Sequence, residues 1–149
     1  MQDTSGVHVW LVLAKAFRAL RAHSVESLDL SRVGLGDSDF RVLEVLLHKG
    51  PLPVNTIGPK VWLTPGSISV AVDRLEKEAL VKRKNTDDRR VRLVELTPKG
   101  RALITKIFRK HVIAMEEAAG VLSKAERLIL LRLLKKLGKS GKMNPNGPR

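Results

Sequence analysis

Apolar side chains recur every three or four positions over most of this chain, which is the spacing of one face of an α-helix. The stretch 7–28 contains neither Pro nor Gly, so we predict one long helix there. A second helix is predicted after Asp37 or Ser38, either of which can cap its first turn, and Gly50-Pro51 ends it. The predicted apolar stripes are Val9, Leu13, Phe17 and Leu20 in the first helix and Phe40, Leu43 and Leu47 in the second.

Two further helices are predicted after Pro51, and a short turn separates them. Residues 53–62 have apolar positions at helical spacing, but Pro59 removes a backbone donor, so this helix either starts late or is kinked. The next helix has Thr64 as its N-cap and Pro65 as the favoured first residue. One side of it is apolar and is predicted to be buried: Ile68, Ala71, Val72, Leu75 and Ala79.

After the fourth helix the pattern changes from helical spacing to that of β-strands. Within residues 81–96, long and β-branched side chains flank a polar turn, which predicts a β-hairpin. Thr97 caps a long helix, and Ser123 with Glu126 forms a capping-box pattern at the start of the last one. Residues 138–149 are polar and rich in Gly and Pro, which predicts a flexible basic tail. The predicted fold is mainly α with a small β-hairpin.

Composition narrows the class of protein. The length of 149 residues suits one domain, and a net charge of +13 attracts polyanions such as nucleic acids. The absence of cysteine excludes disulfides, cysteine-ligated zinc, iron–sulfur clusters and thiol redox sensing. No apolar run approaches the ~18–20 residues of a membrane span, and the N-terminal stretch lacks the basic region of a signal peptide. We therefore expect a cytoplasmic protein of bacterial type with no membrane partner.

Two helices joined by a tight turn and followed by a basic hairpin form the layout of a winged helix-turn-helix. The second helix of such a pair enters the DNA major groove by its N-terminal end. Small side chains let the backbone approach DNA, and the hydroxyls of Thr64 and Ser67 can bond phosphates or bases at the positive end of the helix. Arg74 and Lys77 can reach phosphates. The predicted contacts to double-stranded DNA on this helix are Thr64, Pro65, Gly66, Ser67, Ser69, Val70, Arg74 and Lys77.

The hairpin tip reads "NTDDRRVR" and combines acidic with basic residues. Residues 82–92 hold six Lys and Arg against two Asp, a net charge of +4. An arginine at a hairpin tip fits the negative potential of the minor groove, and a neighbouring carboxylate can fix its guanidinium. One carboxylate is therefore interpreted as orienting Arg90 and the other as helping to make the turn; the alternative is a solvated turn with weak exposed ion pairs. The predicted wing contacts are Lys84, Asp88, Arg89 and Arg90.

The segment "LTPGSISVAVDRLEKEALVKRKNTDDRRVRLVELTPKGRAL", residues 63–103, closely resembles the signature of MarR-type transcriptional regulators. The most telling parts are "DRLE" within the helix, the Asp-Asp-Arg-Arg wing tip, and "LTPKG" leading into the next helix. The resemblance implies an Asp-x-Arg wing motif at Asp88 and Arg90 and a helix arginine that contacts the DNA backbone at Arg74. It also implies contacts from Thr64 to Ser69.

The resemblance covers roughly residues 7–137 and implies the organisation of the chain. A single domain over 1–137 would hold a DNA-binding lobe at about 36–97 and dimerisation helices at about 7–28 and 98–137. Two features depart from the family pattern: Gly58-Pro59 replaces helix formers, and Ala79 stands where the family usually has Gly. The last helix supports a dimer independently, because it is apolar over more than half its circumference. Its leucine-type residues are Leu128, Ile129, Leu130, Leu131, Leu133, Leu134 and Leu137.

The resemblance implies a sequence-specific regulator of transcription, usually a repressor, that binds a pseudo-palindromic operator as a homodimer. Many such regulators are released by a small ligand, here an aromatic or anionic effector. The alternative is a sequence-neutral nucleoid or RNA-binding protein, although RNA binders usually offer aromatic platforms and this chain has no Tyr. We predict no enzyme, cofactor or metal: "LGKSGK" lacks the upstream glycine of a phosphate loop, and the four histidines have no metal-ligand spacing.

Overall fold

The computed structural model describes residues 3–28, 30–86, 88 and 91–140. The chain forms two compact units, one reaching Met115 and the other beginning at Glu116. No described helix is long and apolar enough to cross a membrane. The elements are α1 (Gly6–Leu28), a 3₁₀ turn (Leu30–Val33), α2 (Asp37–Lys49), β1 (Leu52–Pro53), α3 (Val54–Lys60), α4 (Pro65–Lys77), β2 (Val81–Asn85), β3 (Arg92–Leu96), α5 (Pro98–Ala118), a second 3₁₀ turn (Ala119–Val121) and α6 (Lys124–Ser140).

The prediction of a mainly helical chain with a small β wing is confirmed, and the sheet has one more strand than the predicted hairpin. The strand order is β1-β3-β2, all antiparallel. In the hairpin, Val81 lies opposite Leu96 and Asn85 opposite Arg92. The additional strand β1 pairs Leu52 with Val94. It contains only two residues, which is too short for an alternating pattern to be visible in the sequence.

The core of the first unit lies where α2, α4, the sheet and α5 meet. The apolar stripe predicted for α4 is largely confirmed, because Ile68, Ala71, Val72 and Leu75 are all buried. They pack in one cluster with residues of α2, β2, β3 and α5, which include Phe40, Leu43, Leu46, Val81, Val94, Ile104 and Ile107. This packing fixes α4 by one face and leaves its opposite face to solvent.

Helix α3 runs through Gly58-Pro59 without a break and ends at Lys60. Pro59 has no amide to bond the Asn55 carbonyl one turn back, so α3 lacks one helical hydrogen bond there. The glycine has a packing reason, because a Cβ on Gly58 would meet the Leu63 carbonyl oxygen at 3.1 Å and a methyl carbon of Ile68 at 3.4 Å. A small residue at this position therefore lets α3 approach the start of α4 closely.

Helix α4 ends earlier than the apolar pattern predicts, so the prediction that Ala79 is buried is wrong. Ala79 is exposed and adopts the left-handed conformation, with φ +55°. The amide of Leu80 donates to the Leu75 carbonyl (2.9 Å) and that of Ala79 to the Glu76 carbonyl (3.0 Å). These two bonds form a Schellman motif, in which the left-handed position is usually glycine. The chain therefore keeps this helix ending although alanine occupies the strained position.

Replacing Ala79 with Gly is expected to stabilise the protein. The left-handed conformation costs a residue with a Cβ about 1 kcal/mol relative to glycine, so Ala79→Gly should raise the free energy of unfolding by about that amount. Urea unfolding followed by circular dichroism measures the change. The control is Ala102→Gly in the exposed face of α5, which should lower stability by about 0.5–1 kcal/mol. Loss of stability in both variants would contradict the interpretation that the backbone at Ala79 is strained.

The N-terminus of α5 is bonded to the C-terminal end of α4. The predicted cap is confirmed, because the Thr97 hydroxyl accepts from the Gly100 amide (3.0 Å) and donates to the Ala79 carbonyl (2.7 Å). The Thr97 amide donates to the Leu80 carbonyl (3.0 Å), and Lys99 Nζ donates to the Glu78 carbonyl (2.8 Å). The "LTPKG" sequence therefore serves to join these two helix ends.

The second unit consists of the end of α5 and α6. Its predicted capping box is present: the Ser123 amide donates to Glu126 Oε2 (2.8 Å), and the Glu126 amide donates to Ser123 Oγ (3.3 Å). The hydrogen bonds from Ser123 lower the pKa of the Glu126 carboxyl below its usual value. Helix α6 continues through Gly138 to Ser140, beyond the predicted end at Leu137, and residues 141–149 of the predicted tail lie outside the described part.

Candidate nucleic-acid interface

Helix α4 presents its predicted contact residues to solvent along its whole length. The Thr64 hydroxyl caps the helix by accepting from the Ser67 amide (3.2 Å), and it also donates to Ser67 Oγ (2.9 Å). Ser69 Oγ donates to the Pro65 carbonyl (3.0 Å). The exposed residues on this side of α4 are Thr64, Pro65, Gly66, Ser67, Ser69, Val70, Arg74 and Lys77. The residues from Thr64 to Val70 lie at the positive end of the helix dipole, whereas Arg74 and Lys77 lie in the last turn of the helix.

Arg74 is exposed but carries a fixed ion pair. Its Nη2 and Nε donate to the carboxylate of Asp39 at 2.7 and 3.0 Å, and Asp39 is only 1% exposed. The hydrogen bond to Asp39 raises the pKa of the Arg74 guanidinium. Asp39 also accepts from the Gly36 amide (2.8 Å), which is the N-cap of α2. The pair therefore links the start of α2 to α4 and holds the guanidinium in one orientation, while 47% of the Arg74 side chain remains exposed.

The acidic residues of "DRLE" hold the wing against α4. Arg83 of β2 donates from Nη2 to Asp73 Oδ1 (2.5 Å) and from Nη1 to Glu76 Oε2, and its amide donates to Glu76 Oε1 (3.2 Å). Lys82 pairs with Glu95 across the hairpin (3.1 Å). Two basic wing residues, Lys82 and Arg83, are therefore engaged in ion pairs within the protein. Lys84 is exposed.

The turn of the wing is described only in part. The Thr86 hydroxyl lies 2.7 Å from the Asp88 carbonyl and 2.9 Å from the Val91 carbonyl, and the Val91 amide donates to the Asp88 carbonyl (2.9 Å). These bonds close the tip, and Asp88 is exposed there. Asp87, Arg89 and Arg90 lie outside the described residues, so the predicted orientation of Arg90 by a carboxylate stays a prediction.

A cavity of about 400 Å³, the α1–α2–α5 cavity, opens between these three helices and the turn after α3. On the polar side of the cavity, Asp37 Oδ2 lies 2.7 Å from Arg41 Nη2 and 3.7 Å from Arg21 Nη2. His111 also lines it, and its Nδ1 is buried without a hydrogen-bond partner among the described residues. The lining residues are Phe17, Leu20, Arg21, Ser24, Asp37, Phe40, Arg41, Glu44, Trp62, His111 and Met115. The cavity thus combines apolar walls with a few charged groups, as ligand pockets do.

A helix pair with an exposed second helix, followed by a basic antiparallel hairpin, defines a winged helix-turn-helix DNA-binding protein. The model of the MarR family matches residues 35–91. The HTH-type transcriptional regulator MhqR of Bacillus subtilis is 37% identical over 139 residues, which cover 93% of this chain and 94% of that protein. The chain therefore belongs to the MarR family of transcriptional regulators.

Further comparisons agree with this assignment. The uncharacterised HTH-type regulator YkoM of Bacillus subtilis is 32% identical over 133 residues, which cover 89% of this chain and 85% of that protein. Among solved structures, that of Bordetella bronchiseptica BpsR has a TM-score of 0.76 at 26% identity and covers 88% of this chain and 98% of its own. That structure is described as explaining the regulation of BpsR DNA binding by 6-hydroxynicotinic acid.

Proposed function

We propose that the chain represses transcription as a homodimer on a pseudo-palindromic operator, with α4 in the major groove and the wing in the adjacent minor groove. The observation that carries the proposal is the outer face of α4, where every predicted contact residue is exposed. Thr64, Ser67, Ser69 and Val70 would face base edges and nearby phosphates, while Lys77 and Lys84 would neutralise the backbone. Arg74 would bind a phosphate as a guanidinium already oriented by Asp39.

Uncovered apolar surface supports the dimer. On α1, large apolar side chains including Trp10, Leu11 and Phe17 are exposed, and on α6 so are Leu128, Leu131 and Leu134. Clusters of large exposed apolar side chains on a single chain indicate surfaces that associate with a partner. We propose that 7–28 and 98–137 form the dimerisation part of one domain over 1–137, with the DNA-binding lobe at about 36–97. Two copies of a chain with a charge of +13 carry +26, so affinity for DNA should fall steeply with salt.

We further propose that a small aromatic or anionic effector releases the DNA. The α1–α2–α5 cavity offers apolar walls for a ring, and for a polar substituent it offers His111 Nδ1, which has no hydrogen-bond partner within the described part of the chain. The ligand regulation of BpsR, a protein of similar fold, is consistent with such control. Binding of a dimer to an operator physically excludes other proteins from that DNA, and this exclusion accounts for repression.

Loss of the wing arginine is expected to weaken operator binding. Arg90→Ala should cost about 1–3 kcal/mol of binding free energy and leave the dimer intact, because it removes one predicted DNA contact outside the proposed dimerisation helices. The operator is first selected from a random duplex pool, and affinity is then measured by fluorescence anisotropy at fixed salt. Arg101→Ala on α5 is the matched control, because it removes the same charge outside the proposed lobe. Equal effects of the two changes would sink the wing assignment.

The same titration separates specific from sequence-neutral binding. The selected duplex and a random duplex of equal length are compared at ~150 mM salt, where non-specific electrostatic attraction is weakened. A specific regulator should bind the selected duplex at least about a thousandfold more tightly. Equal affinities would favour an architectural DNA-binding protein.

A further inference from the structure

Helix α1 is almost entirely uncovered by its own chain. From residue 6 to residue 23 every residue is exposed except Leu13, which is half-buried, and in the whole helix only Leu28 is buried. This stretch, which we call the α1 arm (residues 6–23), is about 27 Å long at 1.5 Å per residue. The described part of the chain therefore leaves most of the surface of the arm to solvent.

The first half of the arm is apolar on every side. It carries five large exposed apolar side chains: Val7, Val9, Trp10, Leu11 and Val12. At about 100° per residue, the four that follow Val7 lie about 200°, 300°, 40° and 140° around the helix axis from it. A helix that is apolar all round is buried in the functional molecule, so we expect a partner to cover the arm.

Trp62 is the most exposed large apolar side chain among the described residues of the DNA-binding lobe. It is 79% exposed and adopts the left-handed conformation, with φ +57°. The Leu63 amide donates to the Gly58 carbonyl (2.9 Å), which is the bond of a Schellman motif with Trp62 at the position where glycine is usual. A bulky residue there strains the backbone, and burial within its own chain does not offset the cost.

The apolar surface of the arm continues onto the lobe at Trp62. Phe17 and Leu20 of the arm line the α1–α2–α5 cavity together with Trp62, and they are 51% and 43% exposed. Tryptophan is enriched among the residues that dominate the affinity of protein–protein interfaces. DNA is a poorer occupant of this surface, because an uncharged indole neutralises no phosphate.

We propose that the α1 arm of one protomer packs on Trp62 of its partner, so that the second copy of the chain completes each DNA-binding lobe. The chain supplies both uncovered surfaces, and a single contact made twice by two-fold symmetry covers them both. The inference rests on the proposed function, because it needs the homodimer. It goes further in assigning the arm a seat outside the dimerisation helices, at the turn between α3 and α4.

This contact would act on the start of α4. The Val61 carbonyl accepts from Arg41 Nη1 (2.9 Å), and the Leu63 amide is bonded to Gly58, so Trp62 lies between two anchored residues. Thr64, the cap of α4, follows two positions later. The arm of the partner would hold this turn from outside, and the position of each recognition helix would depend on the other copy.

The exposure of Trp62 in the intact protein tests the contact without DNA. The chain has two tryptophans, so Trp10→Phe leaves Trp62 as the sole one. Acrylamide should quench its emission at least about threefold less than that of N-acetyltryptophanamide, because an aromatic side chain at the centre of an interface is desolvated. Equal quenching in protein that light scattering shows to be dimeric overturns the inference and leaves the proposed dimer intact. Monomeric protein overturns both, and shielding that appears only with duplex DNA makes Trp62 a DNA contact.

Mixed dimers show which chain covers Trp62. The chain has no cysteine, so a nitroxide can be attached at Leu11→Cys, or at Val7→Cys if the first variant does not dimerise, in a chain whose two tryptophans are replaced by Phe. Paired with a Trp10→Phe chain, the labelled arm should quench Trp62 at least about twofold, since side chains in contact lie within about 4.5 Å. A label at Lys77→Cys is the control and should quench little, because the two recognition helices lie about 34 Å apart. Quenching only by a label on the same chain as Trp62 overturns the inference.

Trp62→Gly separates the interface from the backbone strain. Glycine relieves the left-handed conformation but removes the ring, so the dissociation constant of the dimer should rise at least about tenfold while circular dichroism shows a folded chain. Ala79→Gly is the matched control, because it relieves the same conformation at an exposed residue outside the proposed contact, and it should change the constant less than about twofold. Sedimentation velocity over a dilution series measures both. A Trp62→Gly dimer that dissociates like the wild type overturns the contact.

Discussion

Gly100→Ala is expected to lower the free energy of unfolding by at least about 3 kcal/mol, or to prevent folding. A Cβ at this position would lie 1.9 Å from the Leu80 carbonyl oxygen and 2.8 Å from its carbon. These atoms belong to the backbone that ends α4, and the same carbonyl accepts from the Thr97 amide. A rotamer change cannot relieve the clash, so α5 must move away from the end of α4. Urea unfolding measures the loss.

The control for this change is Gly66→Ala, because Gly66 also lies in the first turn of a helix and a Cβ there meets nothing within 4 Å. Its stability should stay the same or rise by up to about 1 kcal/mol, the usual gain of alanine over glycine in a helix. Similar stabilities for both variants would show that the close approach of Leu80 and Gly100 is not a constraint on the fold.

Arg74→Ala should destabilise the folded protein by about 3 kcal/mol, although Arg74 is an exposed residue of the proposed DNA surface. Removing the guanidinium leaves the buried carboxylate of Asp39 with the Gly36 amide as its remaining donor among the described residues. The loss comes from this uncompensated buried charge and not from the arginine itself. Chemical denaturation of the free protein measures it without DNA.

Two companion variants test the cause. Asp39→Asn added to Arg74→Ala removes the buried charge and should recover a substantial part of the lost stability. Lys77→Ala removes an exposed cation from the same helix and should change stability by less than about 0.5 kcal/mol. If Arg74→Ala and the wild-type protein have the same urea midpoint of unfolding, the ion pair contributes nothing to stability. A weakened operator complex in Arg74→Ala must therefore be corrected for its lost stability before it is attributed to a phosphate contact.

Local patterns account for what the sequence predicted correctly. The buried face of α4 follows from apolar spacing, and the caps at Thr64, Thr97 and Ser123 follow from side chains that bond an amide three residues away. Ala79 was wrongly assigned to the buried face because a periodic pattern does not mark where a helix ends. Alanine at the left-handed position also removes the glycine that usually signals the end.

The ion pairs that shape the proposed site were not predictable in this way. Asp39 lies in the first turn of α2, yet its partner Arg74 lies 35 positions further along the chain. The ion pairs of Arg83 with Asp73 and Glu76 join a strand to a helix. Neither the helical nor the strand spacing of residues can therefore predict them. Such pairs depend on tertiary packing, and the sequence alone shows only that acidic and basic residues are present. The tip residues Arg89 and Arg90 remain predicted contacts.

The two sides of helix α4 have different roles. Its inner side and the "DRLE" residues support the fold, while Gly66, Ser67 and Val70 on the outer side are exposed and take no part in the buried core. Under the proposed function, mutation of this outer side would therefore retarget the regulator to other promoters with little penalty in folding. Selection for a new regulon would be free to explore these positions one at a time, and designers of biosensors can randomise them while keeping the scaffold intact.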